Sequence, residues 1–598
     1  MYRVRLVVAV IIALTLGIAL VALQRLHPDP DRFRSRLQER FLYGVPWGTL
    51  VVVGFVLAVY LLVQDGRTAF DDPVTIPYRA WSYWYPLGML TASFTHASSG
   101  HLLGNLAGTV VLAPIAEYVW GHYPRDDGRT TAGGLRADPR VRALVIFPAV
   151  VISIGLLTSL FALGPVIGFS GVVFAFAGFA IVRYPITTVL AAVGAQGVVL
   201  TVYRAVESPI IQTTAQTSPP APPSWATIAI QGHAFGFFVG LLLGIAVLHR
   251  RGYRPDPVHL WVALVIFGFG KSLWAVYWFG SGGRFILFRA PGTVLVLALT
   301  VLVTAAVTAS DRPLFGRQLR ESPQSSGRHT RIVELGFTDW RSDSDGASGR
   351  LRRLAAAGIP GTGSGSARTP SQPDRLGRRQ AALVAVLLVL ALIAGPAIPT
   401  NLFVVDPDGT DSTHTVEDYR VAYEENVTNP LVAVGPLERL GLDDSVTTSG
   451  VIVWSEDRHL WTDPVTADRL AFSGEETIDL GGPGWREEVT AERVGWNVVG
   501  NDTVYQVWLN HDGDERLAFT AGPARSNVVI DNHTFTLETG ADGFEFEVEG
   551  DSNTETVSVP EENESVTVGA LTIEREDDDL IASGNGTRAV IASAETYN

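Results

Sequence analysis

Residues 95–105 read Thr-His-Ala-Ser-Ser-Gly-His-Leu-Leu-Gly-Asn and open an apolar run that continues to Trp120. A helix needs about 17–25 apolar residues to cross a bilayer, and this run qualifies. It nevertheless carries two imidazoles and an amide at its start. His101 and Asn105 stand four apart, so on a helix both side chains share one face near one end. Polar groups at that depth are costly unless paired, which makes them functional candidates by default. A histidine satisfied by a neighbouring carbonyl is the plain alternative for any one of them.

Apolar runs of similar length recur on both sides of this stretch. They fall near 4–24, 47–64, 101–120, 142–162, 168–183, 186–203, 226–248, 259–279, 291–309 and 380–398. The expected fold is therefore a polytopic α-helical membrane protein with about ten spans, followed by a β-rich domain. The fifth run is short and needs protein neighbours more than lipid. The first could also be read as a cleaved signal peptide, but no clear small-residue cleavage site ends it, and we read it as a span.

Charge divides the chain. The whole protein carries −15 although 47% of its residues are hydrophobic, and its mean hydropathy is +0.23. From Asn401 onward there are 41 acidic residues against ten arginines, so the first 400 residues are net basic. Cysteine is absent, which excludes disulfides and thiolate-held metals. Lys271 is the sole lysine. An acidic surface in which arginine replaces lysine is the pattern expected of a halophilic archaeon, where the Debye length shrinks to a few ångströms.

Arginine also sets the sidedness. The connections 25–46, 121–141, 249–257 and 311–379 are arginine-rich and fall in one register of alternating loops. The positive-inside rule makes all four cytoplasmic. The loops 65–95 and 204–225 and the acidic domain then lie outside, as do both termini, although Arg3 and Arg5 favour the other face. Five Asn-x-Ser/Thr sequons, at Asn426, Asn501, Asn532, Asn563 and Asn585, agree with an extracytoplasmic domain. The expected organisation is an extra N-terminal span and loop (1–46), a helical core (47–249), two further spans (250–310), a flexible Ser/Gly/Arg/Pro linker (311–379), a last span (380–398) and an acidic β-rich domain (400–598). Alternating runs such as Phe544-Glu545-Phe546-Glu547-Val548 predict a β-sandwich there.

Two more polar constellations sit on apolar runs. Gly168-Phe169-Ser170-Gly171 places a serine at a helix start on the outer side. His233 is followed by Gly236, Gly240 and Gly244, a small-residue stripe that lets helices approach closely in lipid. Gly171, Ala175 and Gly178 give the serine helix a matching face. Serine is a weak nucleophile until a base takes its proton, and His233 is the candidate base. His101, the Asn105 amide and the Ser170 N–H are candidate donors to an oxyanion. Glu117 lies at the far end of its helix, so a Ser–His dyad without a third acid is expected.

Together, His96-x4-His101-x3-Asn105, Gly168-x-Ser170-Gly171 and His233-x2-Gly236-x3-Gly240, in this order on separate spans, resemble the rhomboid family. The resemblance covers roughly 47–249 and implies a six-helix intramembrane serine protease. It implies Ser170 and His233 as the dyad, His101 and Asn105 at the oxyanion site, and His96 as mainly structural. Phe174 resembles the aromatic that packs on the dyad histidine, and Glu117 with Gly121 resembles a Glu-x3-Gly motif at the inner helix end. Many members carry a Trp-Arg pair in the first outer loop where this chain has Leu87-Gly88. The implied reaction is hydrolysis of a client's transmembrane helix near its outer end. Transmembrane proteins and the bilayer are the implied partners, with a protein partner of the outer domain as a guess from proximity. No nucleic acid, metal or organic cofactor is expected. Two other classes compete: an inactive relative that escorts membrane clients, and a transporter in which Lys271, read as mid-span, carries protons. A Ser–Lys dyad using Lys271 leaves His233 and its glycines unexplained.

Overall fold

The computed structural model describes residues 2–26, 30–123, 137–209, 217–280, 284–309, 377–402, 413–430, 446–540, 543–551 and 553–598. The expected linker 311–379 lies outside the described residues as far as residue 376.

Ten apolar helices occupy the ten runs. They are α1 (Tyr2–Leu26), α2 (Trp47–Val63), α3 (Ser99–Trp120), α4 (Pro139–Leu160), α5 (Ser170–Ile181), α6 (Pro185–Glu207), α7 (Ile230–Arg250), α8 (Pro257–Gly270), α9 (Arg289–Thr308) and α10 (Arg378–Ala394). Among the described residues six helices are long and apolar enough to cross a membrane: α3, α4, α6, α7, α9 and the stretch Arg378–Leu402 that contains α10. Large apolar side chains such as Leu62, Leu190 and Leu392 stay exposed, which suits a lipid-facing surface and not an aqueous one. α5 is the central helix. Nearly every side chain from Gly171 to Ile181 is buried, so protein, not lipid, compensates for its shortness.

Local chemistry sets the helix ends. Ser98 caps α3, its hydroxyl accepting from the His101 N–H at 3.2 Å. Asp256 caps α8 through the His259 N–H at 2.9 Å, with Pro257 in the first turn. α8 stops earlier than the expected 259–279. Ser272 turns left-handed at φ 55°, its N–H bonds Phe269 O, and the Leu273 N–H bonds Gly268 O. These two bonds form a Schellman motif. Lys271 therefore caps the helix end and is not mid-span, which corrects the sequence expectation. A hairpin, Tyr277–Gly280 paired with Arg284–Leu287, follows before α9.

Among the described residues, arginines in or beside three of the arginine-rich connections meet at the end of α3 away from Ser98. Arg251 donates to Val119 O and Trp120 O at 2.5 and 2.6 Å, and Arg142 donates to Gly121 O at 3.1 Å. Arg40 lies over the Tyr118 ring. Cations here satisfy the carbonyls that a helix end leaves unpaired and complement its dipole. Beside them Glu117, fully buried, accepts from the Gly48 and Thr49 N–H groups at 3.0 and 2.8 Å. It also pairs with the Thr49 hydroxyl and the His122 ring, each at 2.7 Å. One carboxylate thus caps α2 and fastens it to α3.

At the opposite end stands the β-rich domain. Strands His414–Val416, Tyr419–Thr428, Thr447–Ser455 and Leu460–Thr466 form one antiparallel sheet. A second contains eight strands and begins with Glu475–Gly482, Trp485–Val498, Thr503–His511 and Asp514–Thr520. Its other half is Ser565–Val568, Leu571–Glu576, Asp579–Gly584 and Thr587–Ala594. A third sheet spans Ala524–Ile530 to Thr554–Ser558. Among the described residues the domain has two large cores, and a smaller cluster of Ala422, Ile452, Trp454 and Trp461, where the sequence suggested one sandwich. The 14-residue strand Trp485–Val498 explains this, since Val489 and Ala491 serve the first core while Trp496 and Val498 serve the second. All five sequon asparagines are exposed.

The first core also takes residues from the α2–α3 connection. Ile76 and Trp81 are buried among Val416, Tyr419, Leu480 and their neighbours. Arg486 donates to Asp72 O at 2.6 Å, and the Trp84 indole donates to Leu402 O at 2.9 Å. Beside this contact Arg458 grips both Asp418 oxygens at 2.5 Å and lies over the Tyr419 ring. Burial alone pushes the Asp418 carboxyl up, but hydrogen bonds from Arg458 and Ser455 outweigh it and hold the group below its usual value.

Two outcomes follow from these contacts. Glu117→Ala strands two N–H groups, a hydroxyl and an imidazole, and should lower stability by about 3–5 kcal/mol, read as thermal unfolding in detergent. The depressed Asp418 carboxyl contributes fully above the ordinary aspartate value of about 4 and loses its contribution as pH falls through the lower folded value. Unfolding temperatures measured across that acid range should fall for the wild type, while Asp418→Asn starts lower at neutral pH and falls less.

Candidate active site

The close packing of α5 on α7 places Ser170 near His233. A Cβ on Gly236 would lie 1.9 Å from Gly171 O, and one on Gly240 would lie 2.0 Å from Ala175 O. From the other side, a Cβ on Gly178 would meet Phe237 O at 2.1 Å. The two backbones touch, which only glycine permits at these three positions. Phe174, one turn below Ser170, stacks on the His233 ring with centroids 4.2 Å apart and planes 10° from parallel. The imidazole is thereby held flat against α5.

Ser170 is the first residue of α5, where the opening N–H groups of a helix lack intrahelical acceptors. Gly168 precedes it at φ 123°, a conformation that favours glycine. A Cβ there would also fall 2.5 Å from the His101 ring and 3.5 Å from the Asn105 amide nitrogen. The Gly168 N–H is anchored on Ala92 O at 2.8 Å. His101 and the serine turn are thus packed together at the top of the cavity.

His101 Nδ1 lies 3.5 Å from the Ala97 N–H, and the Cε1–Nε2 edge of the ring faces Gly168, which leaves Nε2 as the ring nitrogen beside the serine turn. The Asn105 amide nitrogen is buried and has no hydrogen-bond partner among the described residues. A buried donor without an acceptor is expensive, and this one opens on the same cavity. His96 sits behind, fully buried and edge-on to His101 at 5.2 Å. Its backbone is clamped by Gln64, which accepts from the His96 N–H at 2.7 Å and donates to its carbonyl at 2.8 Å.

A cavity of about 350 Å3 gathers Ser170, His233, His101 and Asn105. Among the described residues no hydrogen bond joins Ser170 to His233; such bonds are often long before substrate tightens them. The structure thus brings together all four residues that the sequence singles out for chemistry, and it sets Gly168, Gly171, Phe174, Gly236 and Gly240 around them. Sequence reasoning missed Gln196 and the placement of Lys271, which share the cavity wall. A glutamine within an apolar span was the signal for the first.

The contact between α5 and α7 predicts a contrast between two α7 substitutions. Gly236→Val forces backbone apart and should cost at least about 2–3 kcal/mol. Gly232→Ala, with nothing within 4 Å of the new Cβ, should leave thermal unfolding in detergent unchanged or slightly raised.

Comparison with known proteins adds one finding. The family model described as the Rhomboid domain matches residues 80–250. No curated protein and no solved structure matches the chain. The match spans α3 to α7, the helices that build the cavity. The match at residues 80–250 and the six long apolar helices among the described residues together support a polytopic helical membrane protein with a rhomboid-like region.

Proposed function

We propose that this chain is an intramembrane serine endopeptidase that hydrolyses peptide bonds in or near the transmembrane segments of other membrane proteins. One observation carries the reading: Ser170, at a helix start, faces a single cavity with His233 from α7 and with His101 and Asn105 from α3.

The chemistry follows from what each group can donate or accept. Ser170 Oγ attacks the scissile carbonyl while His233 takes its proton. Charge gathers on the carbonyl oxygen, where the Ser170 N–H, the Asn105 amide and His101 Nε2–H are the available donors. His233 returns the proton to the leaving amine as the C–N bond breaks. A water then repeats the cycle on the acyl-serine, releasing the new carboxylate and restoring Ser170. Phe174 holds the imidazole in plane through both steps.

The arginine-rich connections support a cytoplasmic location for the Glu117 end. The catalytic cavity and the β-rich domain then face outward across the cell membrane. Contact between that domain and the α2–α3 connection supports a role in holding clients or a protein partner near the site. The acidic, lysine-poor composition supports a halophilic archaeal setting.

The test is cleavage of a tagged model transmembrane substrate in proteoliposomes at high salt. Wild type should release product and Ser170→Ala none, while Asn105→Ala should lower turnover by about 10²–10³. Equal cleavage by wild type and Ser170→Ala would overturn the assignment. No cleavage by either, with no labelling of Ser170 by a serine-reactive probe, would favour a client-binding relative.

A further inference from the structure

Lys271 is the chain's one lysine, and the helix end that it caps opens onto the Ser170 cavity. Its Nζ donates to Gln196 Oε1 at 2.5 Å. The amide nitrogen of Gln196 donates in turn to Gly104 O at 3.0 Å, on the turn of α3 between His101 and Asn105. Gln196 is thereby oriented, with its oxygen towards the ammonium and its nitrogen towards α3. An ammonium has three donors, and the glutamine takes one. Among the described residues lining the cavity none is a carboxylate. A half-buried cation whose partner is neutral has lost hydration without gaining a counter-charge.

The neighbouring elements hold the lysine in place. The Schellman turn fixes its backbone. The hairpin that follows packs Tyr277 and Phe285 on Trp225, beside the segment Thr227 to Ala229 that forms another wall of the same cavity. Apolar Leu112, Val173 and Phe267 line the rest of its interior. This is a side-chain-sized chamber, apolar except for the catalytic groups, Thr227 and one cation with its glutamine.

We propose that Lys271 and Gln196 form a subsite for an acidic client residue, so that a Glu or Asp flanking the scissile bond sets its carboxylate against Lys271 Nζ. The inference rests on the protease reading and narrows it: clients carrying one acidic side chain beside the cleavage site are preferred over neutral ones. A compact ammonium on a flexible stem can follow either acid, and a pair shielded from solvent keeps its strength in high salt better than an exposed one.

The experiment uses the full chain in proteoliposomes with a set of model transmembrane clients that differ at one position. Glu and its neutral twin Gln are walked across the residues on both sides of the cleavage site. Wild type should cut the best Glu client with kcat/KM about tenfold or more above its Gln twin. Lys271→Met should bring the two to one rate, and Lys271→Glu should prefer a Lys client at that position. If Lys271→Met is inactive on every client, Lys271→Arg decides: a retained Glu preference supports the subsite and a lost one overturns it. Equal Glu and Gln rates for wild type at every position, or a Glu preference that survives in Lys271→Met, would overturn the subsite. Serine-dependent cleavage of the Gln clients would in that case leave the protease reading standing. Wild type that cuts no client in the set overturns both readings together.

Discussion

The site depends on the backbone contact between α5 and α7. Dispersion is weak per atom pair and grows with the number of pairs brought close, and in lipid no hydrophobic force pushes two helices together. Gly178, Gly236 and Gly240 let carbonyls of one helix sit where side chains of the other would otherwise stand. The distance between the Ser170 and His233 backbones is thus set by direct backbone contact and not by flexible side chains. Phe174 adds the orientation, since a ring stacked at 4.2 Å leaves the imidazole little freedom to swing. A serine and a histidine that are far apart in sequence can become a dyad only if something sets both distance and angle.

The two ends of the bundle solve different electrostatic problems. At the Glu117 end a buried carboxylate meets two helix-start N–H groups, a hydroxyl and an imidazole, so its charge is spread over four donors. At the Ser170 end donors outnumber acceptors. Among the described residues the Asn105 amide and the Ser170 and Gly171 N–H groups have no acceptor, and Lys271 pairs with a glutamine alone. A satisfied end gives rigidity, and an end rich in unpaired donors gives a place where negative charge can form or be received.

Much of this was legible in the sequence because the signals are local. Apolar length marked the ten helices, and arginine counts sorted their ends, since a cation beside the last carbonyls of α3 is both a topology signal and a cap. Ser170, His233, His101 and Asn105 stood out because each interrupts an apolar run. The end of α8 was not legible: Ser272 in the left-handed conformation does what glycine commonly does, so the apolar pattern ran on past Lys271 and hid its place at the cavity. The double core of the β-rich domain was hidden for a related reason. A 14-residue strand that changes partners halfway looks like one strand in one sandwich until both sets of neighbours are seen.

The least legible feature is the docking of the α2–α3 connection on the β-rich domain, which joins residues more than 300 positions apart. Where many rhomboid-like chains have a Trp-Arg pair, this one has Leu87-Gly88, and Gly88 is needed because a Cβ would lie 2.1 Å from Arg79 O. That close approach folds the connection back on itself and presents Trp81 outward to the β-sheet core. Tyr83 N–H bonds Asn401 O, and the Asn401 amide bonds Ala162 O at the end of α4. The chain leaving α10 is therefore tied to both the connection and the bundle before it enters the β-domain. A loop that lipid would otherwise have to hold is held here by protein. The domain is thus packed on the connection between α2 and α3 and is not an appendage on a tether, and removing it would expose Ile76 and Trp81 along with the face they cover.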